Sequence, residues 1–206
     1  GIPALQKDAC FSIHIQQPGT PPIKKRMFLQ AVANQNSQRD TMTNDQHQQP
    51  PEGEAFPDTS LHELPAPLQD ACTRAGWTDL MPVQKKTIPY LLAGRDIMVQ
   101  ARTGSGKTGA FVLPLIQLLD LSAAHCQALV LVPTRELARQ VAEEAQLLMG
   151  EKGLRVIAVY GGVGYQAQLE AFKQGAHLVV GTPGRVLDPL MKPSLILHQL
   201  RVLIFD

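Results

Sequence analysis

The sequence predicts an α/β fold in which a parallel sheet carries helices on both of its faces. Three observations lead there. Short, continuously apolar runs such as Gln127-Ala-Leu-Val-Leu-Val132 suit strands that are covered on both sides. These runs alternate with amphipathic stretches of helical period, the pattern of successive βαβ units. The first of the regular runs leads directly into ARTGSGKT at 101–108, and a helical pattern follows at once. Strand, glycine-rich loop, Lys-Thr and helix is the arrangement that wraps a triphosphate.

The elements follow in order. Residues 1–55 differ from the rest and are expected to form a disordered N-terminal segment. Half of the residues from Asn34 to Gln49 are Gln or Asn, and Pro50-Pro51 closes the stretch, which leaves too little apolar surface to offset chain entropy. Lys24-Lys25-Arg26 within it reads as a solvated charge run. Phe11, Ile13 and Ile15 alternate like a short strand, for which the sequence offers no evident partner. From Phe56 to Asp206 the pattern becomes that of one domain. A helix is expected over Pro67–Ala75, ended by Gly76, and a second from Pro82 to just before Gly94. Strands are expected at 96–100, 127–132, 154–159, 177–180 and 201–205, with helices at about 107–119, 134–149, 164–174 and 183–191.

Composition narrows the function classes. At 206 residues the chain has room for one ordinary domain and extra segments. A net charge of +1 gives no bulk attraction to nucleic acid, so any such binding must come from local placement. The three cysteines lie far apart without a C-x-x-C, and the six histidines contain no i, i+4 pair, so a zinc site is not expected. No apolar run approaches the roughly 20 residues that span a bilayer, and no cleavable signal pattern is present. An intracellular, cytoplasmic or nuclear setting with reduced thiols is expected. The sequence runs from Gly1 to Asp206, at the tip of a strand, and is expected to be a fragment.

In a parallel sheet with right-handed crossovers, every strand delivers its trailing loop to the same edge, where ligands bind. After the first predicted strand comes the phosphate loop. Gly104 and Gly106 allow close backbone approach, Lys107 offers a charge to the outer phosphates, and the Thr108 hydroxyl suits Mg²⁺. Pro133-Thr134-Arg135 follows the second strand, Gly161-Gly162 the third and Thr182-Pro183-Gly184-Arg185 the fourth. Two helix starts, two arginines and bare glycine backbone along one rim suit the phosphates of an extended polynucleotide strand. Asp206 ends the fifth strand, where such ATPases hold Mg²⁺.

Together these blocks resemble the first half of the helicase core of a DEAD-box RNA helicase, of superfamily 2, from about Phe56 to Asp206. Gly76-Trp77 with Met81-Pro82-Val83-Gln84 resembles the Q motif, ARTGSGKT motif I, PTRELA (133–138) motif Ia, Gly161-Gly162 the GG element, TPGR (182–185) motif Ib, and Leu203-Ile-Phe-Asp206 the start of motif II. Ala101 at the head of motif I is usual in this family. The resemblance implies a RecA-like P-loop NTPase domain and an ATP-dependent RNA helicase, with ATP and Mg²⁺ as cofactors. Gln84 would bond adenine, and Ala101, Arg102, Thr103, Gly104, Ser105, Gly106, Lys107 and Thr108 would hold the phosphates. Lys107, Thr108 and Asp206 would carry the chemistry, Thr108 and Asp206 holding the metal through water. Pro133, Thr134, Arg135, Gly161, Gly162, Thr182, Gly184 and Arg185 would lie along the RNA backbone without reading its sequence. A superfamily 2 DNA translocase and a catalytically dead RNA-binding scaffold are the alternatives.

Three departures stand out. Phe56 lies further ahead of Gly76 than the aromatic that stacks on adenine in the family. Trp77 stands where Phe is commoner and is expected to pack. The acid after Asp206, the second RecA-like domain and its arginine finger fall outside residues 1–206. This stretch alone is therefore expected to bind nucleotide weakly and turn it over negligibly.

Overall fold

The computed structural model describes residues 8–16, 55–150, 154–162, 164–187 and 199–206. Its strands are β1 (Asp8–Ile15), β2 (Ile97–Arg102), β3 (Ala128–Leu131), β4 (Val156–Val159), β5 (Leu178–Gly181) and β6 (Val202–Phe205). Its helices are α1 (Ala66–Arg74), α2 (Pro82–Leu92), α3 (Lys107–Leu118), α4 (Arg135–Met149), α5 (Tyr165–Lys173) and α6 (Pro183–Val186). A single 3-10 turn, Leu61–Glu63, precedes α1.

The helices begin and end where local chemistry requires. Helix α1 closes with the Gly76 N–H on the Thr73 carbonyl (3.0 Å) and the Trp77 N–H on the Cys72 carbonyl (2.9 Å). That bond pair needs the left-handed φ of +71° that Gly76 adopts. At the start of α4, the Thr134 hydroxyl accepts the Leu137 N–H at 3.2 Å, which satisfies one of the orphan donors of the first turn.

The strands form one sheet in the order β2-β1-β6-β3-β5-β4. Strands β6, β3, β5 and β4 pair in parallel. The middle strands are apolar throughout because helices cover both faces. Ala128, Val130, Val180 and Ile204 join the core beneath α1 to α4. Leu129, Leu131, Val179 and Leu203 point the other way, with Phe172 of α5 and Val186 of α6.

One strand departs from the expected parallel sheet. Strand β1 runs antiparallel to both β2 and β6 and separates them, with Phe11 opposite Val99 and Ile13 opposite both Ile97 and Ile204. The expectation of disorder across residues 1–55 is thereby corrected for residues 8–15. The alternation of Phe11 and Ile13 decides it: both are 1% exposed, and the Phe11 ring meets Phe111 of α3 edge-on at 5.7 Å. On the opposite face, the His14 ring meets Phe205 at 6.1 Å. The Asp96 carboxylate accepts the Ile15 N–H at 2.7 Å and faces His14 Nδ1 at 3.2 Å, which anchors the exit of the strand. The Gln/Asn-rich stretch and Lys24-Lys25-Arg26 lie outside the described residues. So does most of the second half of the helix expected over 183–191, since α6 is described only to Val186.

Because β2 and β6 are each antiparallel to β1, they run parallel to one another. The C-terminal ends of β2, β6, β3, β5 and β4 therefore share one edge of the sheet, and the residues after those strands meet there.

Candidate functional site

At that edge the turn after β2 coils back on itself and opens α3. Gly104 and Gly106 both take left-handed backbone, with φ of +77° and +85°. Gly106 has a second reason to lack a side chain: a Cβ there would lie 2.5 Å from the Met81 sulfur and 2.7 Å from Gln84 Nε2. Three residues on, a Cβ at Gly109 would collide with the Trp77 ring. The glycine-rich loop is thus packed directly against the segment from Trp77 to Gln84, and the Trp77 ring packs on Gly109.

Gln84 is 2% exposed. Its Oε1 accepts the Met81 N–H at 2.8 Å, and its Nε2 donates to the Gly106 carbonyl at 3.1 Å. A carboxamide has two lone pairs and two hydrogens, so each polar atom keeps one unused bonding position. Lys107 Nζ donates to the carbonyls of Ala101 (3.3 Å) and Arg102 (3.1 Å), which curls the side chain over its own loop.

A cleft of about 600 Å³ opens here, bounded by Trp77, Gln84, Gly104, Lys107, Thr108 and Asp206, among others. Thr103 and Gly106 also face it. Ala101 and Ser105 do not: they border a separate, more apolar hollow between α2 and β2. Arg102 ends β2 and is exposed. Phe56 lies away from the cleft, its ring edge-on to Tyr90 at 5.0 Å.

Asp206 is held at the end of β6 by its own N–H on the Leu131 carbonyl at 3.0 Å. Burial pushes its carboxyl above the usual carboxylate range, and the positive charge of Lys107 opposes that rise. Helix α4 contributes two cleft residues that the sequence did not single out, Gln140 and Glu144. Burial also raises the Glu144 carboxyl, the nearby Thr108 hydroxyl acts to lower it, and the charge of Asp206 raises it further. The available signal was the spacing Leu137, Gln140, Glu144, which puts all three on one helical stripe. Nothing in the sequence indicated that this stripe faces the glycine-rich loop.

These donors fit a hard divalent cation: carboxylate and hydroxyl oxygens, with no sulfur and no imidazole. Among the described residues there is no group of three His, Cys, Asp or Glu side chains that could hold a metal alone. Mg²⁺ in phosphate sites is held by one or two carboxylates together with the phosphates.

The remaining predicted residues follow the three neighbouring strands β3, β5 and β4. Pro133, Thr134, Arg135, Gly161, Gly162 and Gly184 are exposed, while Thr182 and Arg185 are half-buried. The Arg135 guanidinium lies beside Gly162, 3.4 Å from where a Cβ would stand. Its Nε contacts the Glu136 carboxylate at 2.6 Å in a solvent-exposed pair, which contributes little to stability.

Comparison with known proteins gives consistent results. The family model described as DEAD/DEAH box helicase matches residues 81–206. The chain is similar to the ATP-dependent RNA helicase DeaD of Haemophilus influenzae, at 46% identity over 144 residues, covering 69% of this chain and 24% of that protein. The DeaD protein of Escherichia coli K12 is 49% identical over 144 residues, covering 69% and 23%. Among solved structures, a DEAD box protein from Methanococcus jannaschii superimposes with a TM-score of 0.61 at 37% identity, covering 69% of this chain and 40% of that one. The chain thus spans about a quarter of the length of the curated relatives it matches.

Proposed function

This chain belongs to the DEAD/DEAH box helicase family, and on that premise we propose that it forms the ATP-binding half of an RNA helicase core. The activity is ATP binding and hydrolysis coupled to local opening of RNA duplexes or remodelling of RNA–protein complexes. One observation above all supports the reading. Lys107, Thr108, Asp206 and Gln84, which come from separate parts of the sequence, border one cleft, and Arg135 and Gly162 adjoin along the same sheet edge.

Each residue has a physical task. Lys107 would exchange its bonds to the Ala101 and Arg102 carbonyls for phosphate oxygens. The N–H groups of the loop and of the first turn of α3 would receive the remaining phosphate charge. Gln84 would use its spare donor and acceptor on adenine, which favours adenine over guanine. Thr108 and Asp206 would hold Mg²⁺, which when bound offsets phosphate charge and orients the terminal phosphate. The exposed N–H of Gly162, the Arg135 guanidinium and the helix start at Thr182 would take successive RNA phosphates by charge and not by base. A second RecA-like domain would supply the rest of the RNA track and an arginine to the phosphates, a contribution of about 10³–10⁵ in rate in comparable ATPases.

The reading is tested by titrating residues 1–206 with fluorescent ADP and GDP analogues in Mg²⁺. Binding that prefers adenine and is lost in Lys107→Ala is expected. Equal affinity for the two bases, or binding indifferent to Lys107→Ala, overturns the assignment.

A further inference from the structure

We propose that Gln168 is a positioning residue of the RNA rim: its carboxamide holds the backbone of Tyr160 by two bonds and so fixes the direction in which the Gly161 N–H meets a phosphate. The proposal rests on the RNA reading above. Strand β4 is an outer strand, with β5 as its neighbour. The Val159 carbonyl accepts the Thr182 N–H at 3.0 Å, so the backbone groups of Val159 face β5. By the alternation of a strand, those of Val156 and Tyr160 face the open edge. There Gln168 of α5 meets Tyr160. Its Nε2 donates to the Tyr160 carbonyl at 3.1 Å, and its Oε1 accepts the Tyr160 N–H at 3.2 Å.

The bond to the carbonyl reaches past Tyr160. The Tyr160 carbonyl and the Gly161 N–H belong to one planar trans peptide and point in opposite directions. With the carbonyl held outward on Gln168, the Gly161 N–H is turned back toward the side of the sheet where β5 and Thr182 lie. Gly161 and Gly162 are exposed, and among the described residues no acceptor takes the Gly161 N–H. The Arg135 guanidinium stands beside Gly162, so a donor and a cation converge on one place. Closing the edge of a sheet does not account for Gln168. On that edge Gln146 takes only the Val156 carbonyl, at 3.3 Å, and the residue given both bonds is the one that borders two glycines. Glycine on one side lets the Tyr160–Gly161 peptide turn over at little steric cost. A turned peptide would offer the phosphate a carbonyl in place of an N–H.

The test uses residues 1–206 carrying isotope-labelled glycine, with a short single-stranded oligouridylate and a fluorescent ADP analogue as probes. Gln168→Met fills the same space without either bond. It is expected to weaken oligouridylate binding roughly 10-fold, the weight of one hydrogen bond to a charged group, and to leave ADP binding unchanged. Gln166→Met, which loses an exposed bond to Glu170 on the same helix, is expected to bind both probes like the unsubstituted chain. In the unsubstituted chain the Gly161 amide proton should move downfield in the NMR spectrum as oligouridylate is added, and in Gln168→Met it should not. A side chain that only stabilised the strand would change the unfolding midpoint and leave RNA affinity and the Gly161 response in place. Unchanged oligouridylate affinity in Gln168→Met, or an equal loss of ADP binding, overturns the proposal. If Gln168→Met does not fold, the spectrum of the unsubstituted chain decides, and a Gly161 amide indifferent to RNA overturns the proposal. Failure of the unsubstituted chain to bind oligouridylate overturns the RNA reading and this proposal with it. Normal binding with an indifferent Gln168→Met overturns this proposal alone.

Discussion

The carboxamide of Gln84 ties the start of α2 to the glycine-rich loop, with Oε1 on the Met81 N–H and Nε2 on the Gly106 carbonyl. Gln84→Ala would leave the Met81 N–H without this partner, a loss of about 1–3 kcal/mol for an unsatisfied group, while the Gly106 carbonyl keeps the Ala110 N–H at 3.1 Å. Gln84→Glu keeps the acceptor but not the donor, and it sets a carboxylate against the Gly106 carbonyl. Urea denaturation is expected to show both variants destabilised. An unchanged midpoint for Gln84→Glu would mean that the Gly106 bond contributes nothing. At this scale the sequence was informative about chemistry and less so about placement. Lys107 and Thr108 could be expected beside a cleft because a glycine-rich turn that opens a helix is set by a few adjacent residues. Glu144 was not, because which stripe of α4 faces the cleft depends on how that helix seats on the sheet.

Strand β5 begins next to a buried histidine whose state can be followed by pH. His177 is 2% exposed. Its Nδ1 accepts the Arg155 N–H at 3.0 Å, and its Nε2 meets the Leu121 carbonyl at 3.3 Å. The first contact needs a bare nitrogen and the second a protonated one, so the ring is neutral. Burial lowers its pKa below the usual 6.5, and the charges of Arg155 and His125 act in the same sense, against the Leu121 bond and Asp120. The unfolded chain therefore takes up this proton first as the pH falls. The stabilising contribution is full above about 6.5 and is lost as the pH falls through the lowered folded value. Glu144 and Asp206, both raised by burial, act oppositely and at the acid end, so the histidine is best isolated by difference. The stability advantage of the unsubstituted chain over His177→Gln, read from urea midpoints, should shrink between pH 7.5 and 5.5. A constant difference would mean that His177 does not titrate there. The element pattern itself was largely legible, since continuous apolar runs and helix-stopping glycines such as Gly76 are local signals. The partner of β1 was not, because pairing joins residues far apart in sequence and leaves no local mark.

For the molecule as a whole, β1 decides how the two halves of the cleft are held. The loop carrying Lys107 follows β2, Asp206 ends β6, and residues 8–15 stand between those strands. Fully burying side chains such as Phe11 and Ile13 contributes about 1.5–3 kcal/mol each, against a total stability of about 5–15 kcal/mol for a domain. Phe11→Asp adds an unpaired carboxylate to that loss. It is expected to abolish cooperative unfolding, and in hydrogen exchange to expose the amides of β2 and β6 while β3 and β5 remain slower. Equal protection of all strands in Phe11→Asp would show that β1 is dispensable. The arrangement also carries a consequence for biosynthesis. Ribosomes release a polypeptide from its amino end, yet the first of the described strands occupies an interior lane whose neighbours emerge much later, Val202–Phe205 after every other described strand. Until then Phe11 and Ile13 have no lasting shelter, which leaves a window in which a chaperone, or a premature pairing with Ile97–Arg102 alone, governs the yield of native protein.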